Sequence, residues 1–132
     1  MSRATGCFSV NASEAEKIVS ERQREGWRIF RLPAHITSAD EFFEGVRRTL
    51  PLDPPLHSNR SWDALEDSLW AGLHSLGESR IVMVWPDAFE MEVHSPKDFA
   101  IAENILSELP PSLADTKLTV GVPKQLLVLR VV

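Results

Sequence analysis

The chain has 132 residues, of which 43% are hydrophobic and 25% are charged, a composition typical of one soluble globular domain with a single core. Its net charge of -5 excludes a basic surface for nucleic acid and favours a basic partner. The single cysteine excludes an internal disulfide, and the sequence has no 18-residue apolar run and no apolar secretory segment. We therefore expect a cytoplasmic protein that contacts neither nucleic acid nor a membrane directly.

Capping residues, glycine and proline divide the first 50 residues into a helix, a strand and a second helix. A serine at each helix start can accept hydrogen bonds from the free N–H groups of the first turn. A glycine ends the first helix and a proline ends the strand. The predicted bounds are helix 13–25, strand 27–32 and helix 38–50.

The remainder of the chain predicts two more helices and two more strands. Three prolines between residues 51 and 55 exclude a helix there. The run "RIVMVW" is apolar almost throughout, which is typical of a central strand covered on both faces. The predicted bounds are helix 61–76, strand 80–85, helix 96–109 and strand 126–132, with a loop over 86–95 and a short edge strand considered for 117–122.

Strands separated by helices indicate an α/β fold with a three-stranded parallel sheet. In such a fold the crossovers are right-handed, and the helices cover the sheet. The tryptophan that ends the central strand, Trp85, is expected to support the core. Cys7 lies in a predicted mobile tail and receives no role.

The helix over residues 61–76 carries two stripes. Trp62, Leu65, Leu69 and Leu73 follow the spacing of a core-facing stripe. A second stripe, defined by Asp63, Glu66, Asp67 and Trp70, lies beside it, and no lysine or arginine follows until Arg80. Like charges four residues apart destabilise a helix by roughly 0.2–0.5 kcal/mol. The stripe is therefore either a solvated helix face or a site for a basic partner.

Two stretches in this order resemble the barstar family of ribonuclease inhibitors. "WDALED" (62–67) is similar to the family's acidic helix motif, and "IVMVWPDAFE" (81–90) is similar to its strand followed by Trp, Phe and Glu. The resemblance covers residues 27–132 and implies a barstar-like fold for them. Residues 1–26, with one helix, lie outside it as an N-terminal extension.

The resemblance implies that the acidic helix and the loop before it block the active site of a basic nuclease. Asp63 and Asp67 fall on the two aspartates of the family motif, and Glu108 matches an assisting acid in the next helix. In the loop, His57 stands where the family often has an aromatic residue, and Asn59 stands where it has glycine. Glu66 also replaces an aromatic residue. The implied role is that of an antitoxin or immunity protein. Its implied partner is a basic nuclease toxin of the ribonuclease class, bound one to one without a cofactor or metal.

Two other functions stay open at this point. The departures at Glu66 and His57 motivate a protein-interaction module with a non-nuclease partner. Paired acids such as Asp63 and Asp67 also occur in glycoside hydrolases, but a convex helix face excludes water poorly, and the sequence has no catalytic motif. We therefore expect no catalytic residue. For Trp70, both an exposed partner contact and packing against the preceding loop or the N-terminal helix remain open.

Overall fold

The structure is a computed structural model that describes residues 5–132. It consists of one parallel four-stranded sheet with the order β1-β4-β3-β2 and five helices. The strands are β1 Gly6–Val10, β2 Arg28–Arg31, β3 Arg80–Trp85 and β4 Gln125–Val131. The helices are α1 Ala12–Arg24, α2 Ala39–Thr49, α3 Trp62–His74, α4 Ala88–His94 and α5 Pro96–Ala114. The predicted α/β fold with a parallel sheet is confirmed.

The prediction of three strands is wrong because the N-terminal segment adds a fourth. β1 pairs in parallel with β4, with Cys7 opposite Val128. Cys7 therefore lies in a strand at the sheet edge rather than in a mobile tail. The segment "GCFSV" has neither strong alternation nor turn signals on both sides, so only the unpaired edge of β4 shows where it belongs.

The sheet is buried on both faces, as the apolar run of β3 predicts. Ile81, Met83 and Trp85 point into a large core shared with α2, α3, α4 and α5. Val82 and Val84 point into a smaller core, which includes Val10, Ala15 and Val19 from the N-terminal segment. Alternate side chains of β3 thus pack into the two cores on opposite faces of the sheet. Trp85 is fully buried, which confirms its core role.

The predicted loop over residues 86–95 is wrong, since most of it forms α4. Ala88 and Met91 are buried one turn apart, and they attach this short helix to the large core. The predicted end of the following helix at residue 109 is also wrong. α5 continues through Pro110 and Pro111 to Ala114. Leu109, Pro110 and Leu113 are buried there, and this packing offsets the roughly 3 kcal/mol cost of a proline inside a helix.

The loop before α3 lies directly against that helix. The amide N–H of Asp53 donates to the carbonyl of Ser68 at 3.0 Å. Gly72 makes this approach possible, because a Cβ atom there would lie 2.2 Å from the carbonyl oxygen of Pro51. The loop over residues 51–60 is therefore held against α3 at the buried Ser68 and Gly72.

Candidate partner-binding site

The two stripes of α3 are present as the spacing predicts. Ser61 caps the helix by accepting a hydrogen bond from the N–H of Ala64 at 3.1 Å. Leu65, Leu69 and Leu73 are fully buried. Asp63 and Asp67 are exposed on the outer side, and Glu66 is half-buried between them and α5.

Glu108 of α5 joins the acidic stripe from the neighbouring helix. Burial raises the pKa of Glu66, and the charge of Glu108, a hydrogen bond with it, and the charges of Asp67 and Asp63 raise it further. The four residues Asp63, Glu66, Asp67 and Glu108 are called the acidic cluster below. Within residues 5–132, none of these carboxylates forms an ion pair with lysine, arginine or histidine. Glu108 therefore lies beside the acidic residues of α3, and its role in binding stays a prediction.

Trp70 packs against α5 rather than against the preceding loop or the N-terminal helix. Its indole N–H donates to Oγ of Ser112 at 2.8 Å. Its ring stacks on His74 with the centroids 4.9 Å apart. Trp70 remains half-buried and forms one side of a groove of about 280 Å³, which Glu66, Asp67, Ser112 and Leu118 also line.

The loop that precedes α3 carries the two predicted partner-binding residues His57 and Asn59. His57 is exposed. The side-chain oxygen of Asn59 accepts a hydrogen bond from Arg47 on α2, and its amide donates to Asp40 at 3.3 Å. The backbone of Asn59 is not left-handed, so the position tolerates a residue other than glycine. Asn59 therefore fixes the loop, whereas His57 is available to a partner.

A second exposed region lies next to the groove and was missed by the sequence analysis. Turns occupy residues 116–121, in place of the edge strand considered for residues 117–122. Leu118, Val120 and Val122 are 57%, 84% and 53% exposed. The alternating pattern "KLTVGV" that favours a strand contains these same side chains, and only the folded chain shows that the strand has no neighbour to pair with.

Two histidines outside the acidic cluster have partners within the described chain. Nε2 of His74 lies 3.0 Å from the carbonyl oxygen of Thr119, so His74 supports the turns over residues 116–121. Nδ1 of His35 lies 2.7 Å from Glu90 and 3.4 Å from Asp87, and the hydrogen bond and charge of Glu90 raise the pKa of His35. These three side chains are the one metal-capable group in the described part of the chain. The expected absence of a metal stays a prediction.

The fold and the acidic cluster define a small α/β protein with an acidic helical face. The chain belongs to the barstar family, because the family model described as Barstar (barnase inhibitor) matches residues 27–123. Members of this family are inhibitors rather than enzymes. β1, α1 and β4 lie outside the matched range.

No significant match is found among curated proteins or among solved structures. None of the helices between residues 5 and 132 is long and apolar enough to cross a bilayer.

Proposed function

We propose that this protein inhibits a basic ribonuclease by covering its active site with α3 and the loop before it. The observation that carries the proposal is the acidic cluster, in which two helices hold four carboxylates together without a cation. Such an arrangement costs folding free energy, and a basic partner would repay that cost in the complex.

The chemistry of a nuclease site fits this surface. A site that holds the phosphates of RNA gathers lysine, arginine and histidine, and carboxylates can occupy the same positions as those phosphates. Opposite charges also speed the encounter, and desolvated carboxylate–arginine pairs slow dissociation. The complex would be one to one and would need no cofactor. The single cysteine fits a reducing compartment, so the proposal includes the cytoplasm as its location.

The test is inhibition of RNA cleavage by purified full-length protein. The nucleases are barnase and the basic ribonucleases encoded by the source genome. Asp67→Lys is expected to reduce the binding free energy by roughly 2–5 kcal/mol and so to weaken inhibition, because it places a cation against the basic site. Glu92→Lys is the matched control, since Glu92 is exposed on α4 and belongs neither to the acidic cluster nor to the lining of the groove. Full inhibition by Asp67→Lys would refute the proposed site.

A non-nuclease basic partner is the second candidate. Glu66 favours it, because a half-buried carboxylate stands where the family often has an aromatic contact. Affinity capture from source cells with wild-type protein and Asp67→Lys would discriminate the two candidates. Recovery of a basic protein without nuclease activity, by wild type alone, would favour the second.

A further inference from the structure

Residues 115–122, here called the apolar loop, expose an unusual concentration of apolar side chains. Seven large hydrophobic residues are exposed within the described chain, and three of them are Leu118, Val120 and Val122. The other four are spread over α4, α5 and the C-terminus. Exposed apolar side chains that cluster in this way are typical of a binding surface, whereas single ones are ordinary.

The apolar loop is held in place by many hydrogen bonds. The carboxylate of Asp115 accepts from the N–H groups of Lys117 and Leu118 at 2.7 and 3.1 Å. Thr119 is fully buried, and its hydroxyl donates to the carbonyl of Asp115 at 2.7 Å. His74 of α3 contacts the carbonyl of Thr119. The exposed side chains are therefore presented by a fixed backbone, which lowers the entropy lost on binding.

Val120 shows how strongly the backbone of this loop is constrained. Its φ is +53°, in the left-handed region, where a β-branched residue is a true outlier. Val120 is also 84% exposed, so no core contact of its side chain explains the choice of valine. The exposed side chain of Val120 is therefore not explained by packing within the described chain.

The apolar loop borders the acidic cluster directly. Leu118 lines the same groove as Glu66, Asp67, Trp70 and Ser112. Carboxylates thus lie beside an indole ring and an aliphatic side chain. A long cationic side chain suits this groove, because its stem can pack on Trp70 and Leu118 while its charged end meets the acids.

We propose that the apolar loop is a second contact region for the same basic partner. In this arrangement a lysine or arginine of the partner enters the groove, and an adjoining apolar surface of that partner covers Leu118 and Val120. The inference rests on the proposed function and adds a requirement, since the partner must carry an apolar patch beside its basic site. A second copy of this chain fits less well, because pairing about the loop would bring two acidic clusters together.

The experiment uses full-length protein with Leu118→Asn and Val120→Asn combined. Asparagine tolerates the left-handed region better than valine, so this double variant should fold at least as well as wild type. The matched control is Val93→Asn, which changes a 70% exposed valine on α4. α4 follows the carboxyl end of β3, and the apolar loop precedes the amino end of β4. Because β3 and β4 are parallel, the two sites lie at opposite ends of these strands.

Binding is measured by surface plasmon resonance against barnase and the source genome's basic ribonucleases, each inactivated by substitution. The double variant should bind roughly 10- to 100-fold more weakly, mainly through faster dissociation, while Val93→Asn stays within about twofold of wild type. Unchanged binding by the double variant, with binding lost in Asp67→Lys, would overturn this inference and leave the proposed function standing. Absence of any complex would overturn both.

Light scattering after size exclusion provides a further check. If wild type were a dimer and the double variant a monomer, a second copy would cover the loop and the inference would be wrong. A wild-type monomer agrees with it. Thermal unfolding of each variant shows whether any loss of binding comes from loss of the fold.

Discussion

Glu66 of α3 and Glu108 of α5 bring carboxyl groups from two different helices into one cluster. Burial, the charge of Glu108 and a hydrogen bond with it raise the pKa of Glu66. The carboxylates of the cluster therefore repel one another in the free protein, and a cation supplied by a partner would reduce this repulsion.

Glu66→Gln should make the free protein more stable at neutral pH. A carboxyl group with a raised pKa in the folded state favours folding when it is protonated, so its ionisation lowers stability as pH rises from about 4.5 through the folded-state pKa. The variant should gain a few tenths of a kcal/mol at pH 7, since solvent screens this half-buried group, and roughly nothing at pH 4.

Urea denaturation across that pH range measures this effect. Glu92→Gln is the control, because it removes one exposed carboxylate from α4 and leaves the acidic cluster intact. A stability difference for Glu66→Gln that does not depend on pH would contradict the electrostatic explanation.

Lys124→Met should destabilise the protein. Lys124 is 3% exposed, and its ammonium group donates to the carbonyls of Leu76 and Glu78 at 2.5 and 2.8 Å. Methionine fills a similar volume but leaves both carbonyls without this donor, for a loss of about 1–3 kcal/mol. Lys117→Met, at an exposed position of the apolar loop, should change the free energy of unfolding by less than about 0.5 kcal/mol. Equal effects of the two substitutions would show that the carbonyl contacts contribute nothing.

Gly72→Ala should loosen the loop before α3. The added methyl group would lie 2.2 Å from the carbonyl oxygen of Pro51, so the loop or the helix must shift, at a cost of about 1–3 kcal/mol. If the loop contacts a nuclease as proposed, the variant should also inhibit that nuclease less well, because the loop backbone shifts relative to α3. Gly77→Ala is a suitable control, since its new Cβ atom meets nothing within 4 Å. Stability and inhibition equal to those of the control would show that the close approach is unimportant.

If the partner is a basic nuclease as proposed, the rate of association with it should fall as salt increases. Exposed charges are screened beyond about 8 Å at 0.15 M ionic strength, and steering by opposite charge weakens accordingly. Replacing Asp63 and Asp67 together by asparagine should slow association at low salt by roughly tenfold and should flatten the salt dependence. Stopped-flow fluorescence measures both quantities. If the double variant kept the wild-type salt slope, another part of the surface would have to guide the encounter.

The two stripes of α3 and the double burial of β3 could be predicted from the sequence because both are local patterns. Because an α-helix has about 3.6 residues per turn, Leu65, Leu69 and Leu73 lie on one face of it. Asp63 and Asp67 lie on another face, whatever the helix packs against. An apolar run such as that of β3 likewise indicates two covered faces. The family resemblance seen in the sequence also rests on local stretches, "WDALED" and "IVMVWPDAFE", and the family model matches residues 27–123.

Contacts between distant segments were decided only by the tertiary structure. β1 is a strand because β4 leaves an edge for it to pair with, and α5 passes Pro110 because the core holds Leu109 and Leu113. The turns of the apolar loop replace a plausible strand, and the distant His74 of α3 supports them by its contact with the carbonyl of Thr119. Propensity describes single segments, whereas these outcomes depend on packing energy between segments far apart in the chain, which no local pattern records.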